Sequence, residues 1–306
     1  MPKAPMPEAR SWTILELVKW TTGFFQRHAL DRARSEAEIL LAHSLGMRRI
    51  DLYLNHDKPL GKDELSRYKA LIKRRVNREP LAYITGAKEF WSLTLAVNPS
   101  VLIPRPETEC LVEAVLPILD DPGGSPKRVL DLGTGSGAVV IALAHEHPEH
   151  RYVATDRSHA ALQTARQNAC SHQVNHRIDW YCGCWEQALA PDRGTFDLIV
   201  SNPPYIRSHD LNDLQPEIRN HEPPMAVDGD GDGLACLRRI IVTACRYLSV
   251  GGMLALEMGC DQAKDVRTIA GDAGCYETPC IRKDYSGHDR VALVKKHGGS
   301  APPFNG

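Results

Sequence analysis

No stretch of this chain is apolar over the roughly 20 residues that a membrane-crossing helix needs. Its N-terminus also lacks an apolar signal segment, so a membrane role is set aside and a cytoplasmic location is expected. An excess of one charge is missing too, since 37 Lys and Arg face 38 Asp and Glu for a net charge of −1. Nothing global draws a polyanion, and no direct contact with nucleic acid is expected. The nine cysteines, at 110, 170, 182, 184, 236, 245, 260, 275 and 280, are odd in number and have no framework spacing, which fits a reducing compartment. Cys182 and Cys184 form a lone C-x-C and His145-Glu146-His147 a short cluster, without a second pair at ligand spacing, so no metal site is expected. Residues 228–233, Asp-Gly-Asp-Gly-Asp-Gly, begin like a calcium loop, but Arg239 stands at the twelfth position where a bidentate Glu is required. They read as a polar loop leading into a helix at Leu234.

The composition that remains, 42% hydrophobic and 25% charged, is that of an ordinary globular protein with room for one large domain and one small one. Residues 1–10 look like a frayed leader. Ile14, Leu17, Val18, Thr21, Phe24 and Phe25 then recur at helical spacing. A second helix is signalled by Ser35 ahead of Ala37, Leu40, Leu41 and Leu45, with Gly46 past its end. A third spans about 49–55. The fourth, about 62–77, turns Leu65, Tyr68, Ile72 and Val76 inward and carries Lys69, Lys73, Arg74, Arg75 and Arg78 on an outer face. That basic face reads as solvated surface or as a docking face for a ribosome-associated or acidic partner. Residues 1–80 are thus expected to form a small all-helical domain.

Residues 81–106 read as a linker built on a β-hairpin: 90–97 alternate, Asn98-Pro99-Ser100 is a turn, and 101–103 return. A helix follows to about Leu119, with Glu107 and Glu109 in its first turn. From residue 128 strands near 128–132, 151–155, 178–182, 196–201, 253–258, 276–282 and 290–295 alternate with helices near 138–147, 158–170, 232–248 and 261–273. Such alternation predicts an α/β domain over 107–296, a Rossmann-like seven-stranded sheet that is mostly parallel. The last two strands have no helix between them, so the final one is expected to run antiparallel. The tail, 297–306, is rich in Gly and Pro and expected to be disordered.

Two stretches carry chemistry. Val129-Leu130-Asp131-Leu132-Gly133-Thr134-Gly135-Ser136-Gly137 sets three glycines between a strand and a helix, where the backbone can turn sharply and a ligand can approach it. The spelling is G-x-G-x-G, and no Gly-Lys-Ser/Thr follows, so a triphosphate loop is excluded. Asp156 ends the next strand, where a carboxylate can accept both hydroxyls of a ribose. The second stretch is Asn202-Pro203-Pro204-Tyr205, after the buried strand at 196–201. Its prolines hold the backbone extended and donate nothing, leaving the Asn202 side-chain oxygen and the Pro203 carbonyl as stiff acceptors for one planar NH2 group, with the Tyr205 ring as a face for it. An amide or an amino-nucleobase nitrogen fits.

With the glycine loop, Asp156 and the Asn-Pro-Pro-Tyr stretch, the chain resembles class I S-adenosylmethionine methyltransferases of amide or amino nitrogen. Glu89-Phe90-Trp91-Ser92, Ile103-Pro104-Arg105-Pro106-Glu107-Thr108-Glu109 and the helical N-terminal domain narrow the resemblance to the HemK family, the peptide chain release factor glutamine methyltransferases, over roughly 12–295. The resemblance implies that Gly133, Thr134, Gly135, Ser136 and Gly137 wrap the methionine part of S-adenosylmethionine, that Asp156 holds its ribose, and that Trp185 lies beside the adenine. It implies that Asn202 touches both cofactor and substrate, and that Asn202, Pro203, Pro204 and Tyr205 grip the substrate, with Asn202, Pro203 and Tyr205 catalytic. The substrate would be the glutamine of the Gly-Gly-Gln loop of class I release factors, methylated on N5 by a monomeric enzyme, with S-adenosyl-L-homocysteine as product. Cys184 departs from the family, which usually has an acidic residue just before that tryptophan. Three other readings stay open: a ribosomal-protein glutamine, an adenine-N6 or cytosine-N4 base, and a cofactor-binding module without catalysis. Arg105, Glu107 and Glu109 read either as the shape of the substrate mouth or as structural.

Overall fold

The computed structural model of the protein describes residues 12–120, 124–189 and 196–298. The expected leader at 1–10 and all of the expected tail but His297 and Gly298 lie outside the described residues. The chain divides into two compact units, Met1–Gly86 and Ala87–Gly306.

The first unit is helical among the described residues: α1 (Ile14–Arg27), α2 (Ala33–Leu45), α3 (Arg49–Leu54), α4 (Lys62–Val76) and α5 (Leu81–Thr85). Thr13 starts α1 through a capping box, its hydroxyl accepting from Glu16 N while Glu16 reaches back to Thr13 N, an arrangement that stabilises a helix start by about 1 kcal/mol. Leu17, Phe25, Leu40, Leu41, Tyr68 and Ile72 form the core, as their helical spacing predicts. The basic face expected on α4 is only partly a face. Arg75 is buried and paired with Glu36 at 2.7 Å, and Arg74 pairs with Glu79 at 2.6 Å, while Lys69 and Lys73 are exposed. Ser35 is not a cap either, because α2 begins two residues before it. Helix α5, which starts after Pro80, lies where the sequence suggested linker.

The second unit opens with a hairpin of different register from the expected one. Strands β1 (Ala87–Phe90) and β2 (Leu93–Ala96) flank a turn at Trp91 and Ser92, both in left-handed conformation (φ 51° and 59°). The expected return strand at 101–103 does not form. Hairpin turns of this kind usually announce themselves with Asn or Gly, and neither is present, so the alternation of 90–97 runs through the turn unmarked.

The remaining elements are α6 (Glu109–Leu119), β3 (Arg128–Leu132), α7 (Ala138–Glu146), β4 (Arg151–Asp156), α8 (His159–Ser171), β5 (Ile178–Cys182), β6 (Phe196–Ser201), α9 (Pro216–His221), α10 (Ala235–Tyr247), β7 (Leu248–Glu257), α11 (Ala263–Asp272), β8 (Cys280–Lys283) and β9 (Asp289–Lys295). Seven strands form one sheet in the order β5-β4-β3-β6-β7-β9-β8, parallel except that β9 runs antiparallel to both neighbours. Residues of α6 and α7, such as Leu111, Val115, Val140 and Leu143, pack in one buried cluster, and Leu237, Ile240 and Ile241 of α10 with Val266 of α11 in another. Fully burying each such side chain stabilises the fold by about 1.5–3 kcal/mol. Cys245 of α10 is joined to Cys275, and the other seven cysteines are free. The chain runs from β3 outward to β5 and returns to β6 on the other side of β3, so a crevice opens at the carboxyl ends of β3 and β6, where open α/β sheets bind ligands.

Candidate active site

The glycine loop leaves β3 at this crevice. Gly133 N and Thr134 N both donate to Thr155 O of β4 at 2.9 Å, and Gly133, Gly135 and Gly137 all have positive φ (73°, 57° and 83°). A Cβ on Gly137 would lie 2.7 Å from Ile141 Cδ1 and 3.1 Å from Ala165 Cβ, so the third glycine permits close packing of α7 on α8. A Cβ on Gly133 would come within 3.1 Å of the Trp185 ring, whereas one on Gly135 would meet open space. Gly135 N donates to Asp156 Oδ2 at 2.9 Å, and Ser158 N to Asp156 Oδ1 at 2.8 Å. The Asp156 carboxylate is thereby aimed by two backbone donors, and each oxygen keeps a lone pair for a hydroxyl. Burial holds its pKa above the ordinary carboxylate value. The Thr134 hydroxyl is taken up by Asp131, at 2.7 Å, so it orients that carboxylate. Burial pushes the Asp131 carboxyl up to about 7.

Strand β6 ends on Ser201, whose hydroxyl donates to Leu132 O at 2.6 Å and ties the two sides of the crevice together. Asn202 follows. Its Nδ2 donates to Thr108 Oγ1 at 3.0 Å, and among the described residues nothing donates to its Oδ1 or to the Pro203 carbonyl. The Tyr205 hydroxyl donates to Glu257 Oε1 at 3.1 Å and accepts from Arg290 at 3.4 Å, while burial pushes both the Tyr205 phenol and the Glu257 carboxyl up. A cleft of about 540 Å³ brings together Gly133, Thr134, Gly135, Ser136, Asp156, Trp185, Asn202 and Pro204 with Asp131. Gly137, Pro203 and Tyr205 are not among the residues that line it, and Pro203 and Tyr205 flank the lining residue Pro204 in the chain.

Several residues that sequence reasoning passed over shape this site. Glu222 is buried, accepts Arg105 at 2.6 Å and Ile103 N at 3.2 Å, and so fastens residues 103–105 to the segment that carries Met225 at the cleft rim. Arg105 thus docks this segment and also lines the cleft, and Glu109 accepts Trp91 N at 2.8 Å in the hairpin turn. Gln262, also buried, donates to Tyr205 O and to Gly233 O, both at 3.1 Å. Glu257 had a legible signal, since it ends an apolar strand as Asp156 does. Thr108 had none beyond its place in the segment 103–109. Cys184 Sγ accepts from Arg239 at 3.8 Å, and Arg239 pairs with Glu186 at 2.9 Å, so the carboxylate nearest the tryptophan stands one residue after it. His147, Glu149 and His150 lie within 4.8 Å of one another. The His150 ring nitrogens, however, contact Lys127 N and Leu119 O at 3.3 and 3.0 Å, which makes it a packing residue.

The site has two carboxylates at one end, an indole wall, a turn that admits close backbone approach, and free acceptors at Asn202 and Pro203. That set fits a ribonucleoside bearing a cationic amino-acid arm, placed beside an NH2 donor. Two family models match the chain, the PrmC N-terminal domain over residues 16–86 and the Methyltransferase small domain over residues 108–219. The chain is 42% identical over 283 residues to a release factor glutamine methyltransferase of Geobacter sulfurreducens, which covers 92% of this chain and 95% of that protein. It is 38% identical over 286 residues to a protein of the same description from Caulobacter vibrioides, with 92% and 97% covered. It is similar in fold to a methyltransferase of known structure from Pyrococcus furiosus, at 20% identity and a TM-score of 0.51 over 74% of this chain and 99% of that one.

Proposed function

The chain belongs to the release factor glutamine methyltransferase family, and from that membership we propose that it transfers a methyl group from S-adenosylmethionine to N5 of the glutamine in the Gly-Gly-Gln motif of class I release factors. The observation that carries the reading is the pair of unengaged acceptors, Asn202 Oδ1 and Pro203 O, at the carboxyl end of β6 beside the glycine loop. When bound, S-adenosylmethionine supplies an electrophilic methyl group on a sulfonium and leaves as S-adenosylhomocysteine.

The residues of the chain do the rest. Asp156 accepts from the ribose hydroxyls, Trp185 flanks the adenine, and residues 133–137 let the methionine part approach the backbone. An amide nitrogen is a weak nucleophile because its lone pair is delocalised, so the main task is to hold it in line with the methyl carbon. Asn202 Oδ1 and Pro203 O each take one N–H of the substrate amide, which fixes its plane and polarises it as positive charge grows on nitrogen. Methylation makes that nitrogen acidic, and its proton leaves to these acceptors or to water, so no strong base is required. Pro204 and Tyr205 keep the loop stiff. The enzyme acts in this reading as a cytoplasmic monomer on a protein substrate.

Incubation of the protein with methyl-labelled S-adenosylmethionine and a class I release factor tests this. Label is expected on the release factor and is expected to vanish when the Gly-Gly-Gln glutamine is replaced. Undiminished labelling of the replaced factor, or labelling of oligonucleotides in its stead, overturns the proposal.

A further inference from the structure

Two of the four residues in Asn202-Pro203-Pro204-Tyr205 carry no N–H, and the Pro203 carbonyl is left for the substrate, so the task of tying down the carboxyl end of the stretch falls to Tyr205. Its hydroxyl donates to Glu257 at 3.1 Å. Its carbonyl is held from 57 residues downstream, where Gln262 Nε2 donates to it at 3.1 Å. The same Nε2 donates to Gly233 O at 3.1 Å, and Gln262 Oε1 accepts from Gly259 N at 2.8 Å. Gln262 is 2% exposed and stands immediately before α11. Among the described residues no backbone N–H donates to Tyr205 O or to Gly233 O, so both carbonyls are served by this one side chain.

A single buried amide thus joins three segments at the carboxyl edge of the sheet: the acceptor stretch after β6, the loop at 228–233 ahead of α10, and Gly259 after β7. Its partners fix its sense. Two carbonyls require donors and one N–H requires an acceptor, and a planar amide with two N–H groups and one oxygen meets all three demands. Removing it would leave the buried Gly233 carbonyl and that of Tyr205 without donors, which is costly away from water. Gln262, Tyr205 and Gly233 are not among the residues that line the cleft, so the clamp bears on the aim of the acceptors and not on contact with a cofactor. We infer that Gln262 is a positioning residue for methyl transfer, which fixes the carboxyl end of the acceptor stretch against the loop at 228–233 and so keeps Pro203 O and Asn202 Oδ1 directed at the substrate nitrogen. The catalytic consequence rests on the proposed glutamine methylation, and the clamp itself does not.

The test uses the full chain with Gln262→Met, which keeps the length and removes all three bonds, and Gln262→Glu, whose buried carboxyl, facing two carbonyl oxygens, keeps its proton and can donate to one of them. Val266→Ala, a truncation of a fully buried side chain one turn further along α11, controls for lost stability. Turnover is counted per folded site, from the number of sites that bind S-adenosylhomocysteine in a calorimetric titration. On that basis Gln262→Met is expected to lower kcat on the release factor by roughly 10- to 100-fold and Gln262→Glu by roughly 3- to 10-fold, with KM and the cofactor Kd within about threefold, while Val266→Ala keeps the wild-type kcat. Independently of activity, the backbone amides of Ile206 and Gly229, which bond the acceptor segment to the loop, should exchange with solvent faster relative to the amides of β6 in Gln262→Met than in wild type or Val266→Ala. Wild-type kcat per site in Gln262→Met, an equal loss in Val266→Ala, or unchanged relative exchange overturns the inference. If the methionine variant does not fold, the glutamate variant decides by the same two measurements. A wild-type protein that labels no release factor would sink the substrate assignment alone, and the exchange measurement would still judge the clamp.

Discussion

Asp131 shows how much a single buried charge can report on the cleft. It is 2% exposed; burial raises its pKa most, the Thr134 hydroxyl pulls it down, and neighbouring Asp156 raises it further, to about 7. The unfolded chain would release that proton near pH 4. The native state binds the proton more tightly, so the stability Asp131 contributes is fully present below about pH 4 and is lost as the pH rises through about 7. A cationic ligand in the cleft favours the carboxylate, so its binding releases the proton and strengthens as the pH climbs to 7. The Kd for S-adenosylmethionine is therefore expected to tighten severalfold between pH 6 and pH 8, with Asp131→Asn removing most of that slope. Calorimetric titration in two buffers of different ionisation enthalpy measures both the slope and the proton released, and an equal wild-type Kd at the two pH values contradicts the argument. At this scale the sequence was informative wherever neighbours in the chain are also neighbours in space, as in residues 133–137 and 202–205. Thr108 and Glu257 escaped it because their partners lie 94 and 52 residues away.

Among the elements, the loop at 228–233 has a second role that its sequence did not show. It is the polar lead into a helix that its acidic residues suggested, with α10 beginning at Ala235, and two of its glycines, Gly229 and Gly233, also lie against the backbone of Tyr205. Ile206 N donates to Val227 O at 3.1 Å and Gly229 N to Ile206 O at 2.8 Å, so the two segments run side by side. A Cβ on Gly229 would lie 2.8 Å from Tyr205 Cα, and one on Gly233 (φ 74°) 2.6 Å from Tyr205 O. Backbone atoms cannot step aside as a side-chain tip can. Gly229→Ala is thus expected to cost about 1–3 kcal/mol in urea unfolding and to lower turnover at least tenfold, while cofactor affinity is retained. Gly231→Ala, where a Cβ meets nothing within 4 Å, is the control and should behave as wild type. Equal turnover in both variants would show that the loop does not support the acceptors. The missed register of the β1-β2 hairpin has a related cause, since the left-handed residues there are Trp91 and Ser92 and not the glycines that usually mark such a turn.

On the scale of the whole molecule, the strand and helix rhythm was enough to place the crevice. Alternation implies a parallel sheet, and the stretches at 133–137 and 202–205 follow the two strands that turn out to flank its switch point. The boundary between units was harder to read, because α5 is five residues long and the hairpin pattern begins directly after it. The two units have separate cores, and every residue that lines the cleft falls between Ser100 and Cys236, within the second. Leu41, fully buried in the first core, provides the contrast. Its truncation to alanine should destabilise that unit by about 2–5 kcal/mol, since the cavity left behind collapses only partly. S-adenosylhomocysteine at a hundred times its Kd stabilises whichever unit binds it by about 2.7 kcal/mol. Leu41→Ala is accordingly expected to lower the first thermal unfolding midpoint while leaving the calorimetric Kd for S-adenosylhomocysteine within about twofold of wild type. A tenfold weaker Kd in that variant would mean that the helical unit takes part in forming the cofactor site, contrary to the composition of the cleft.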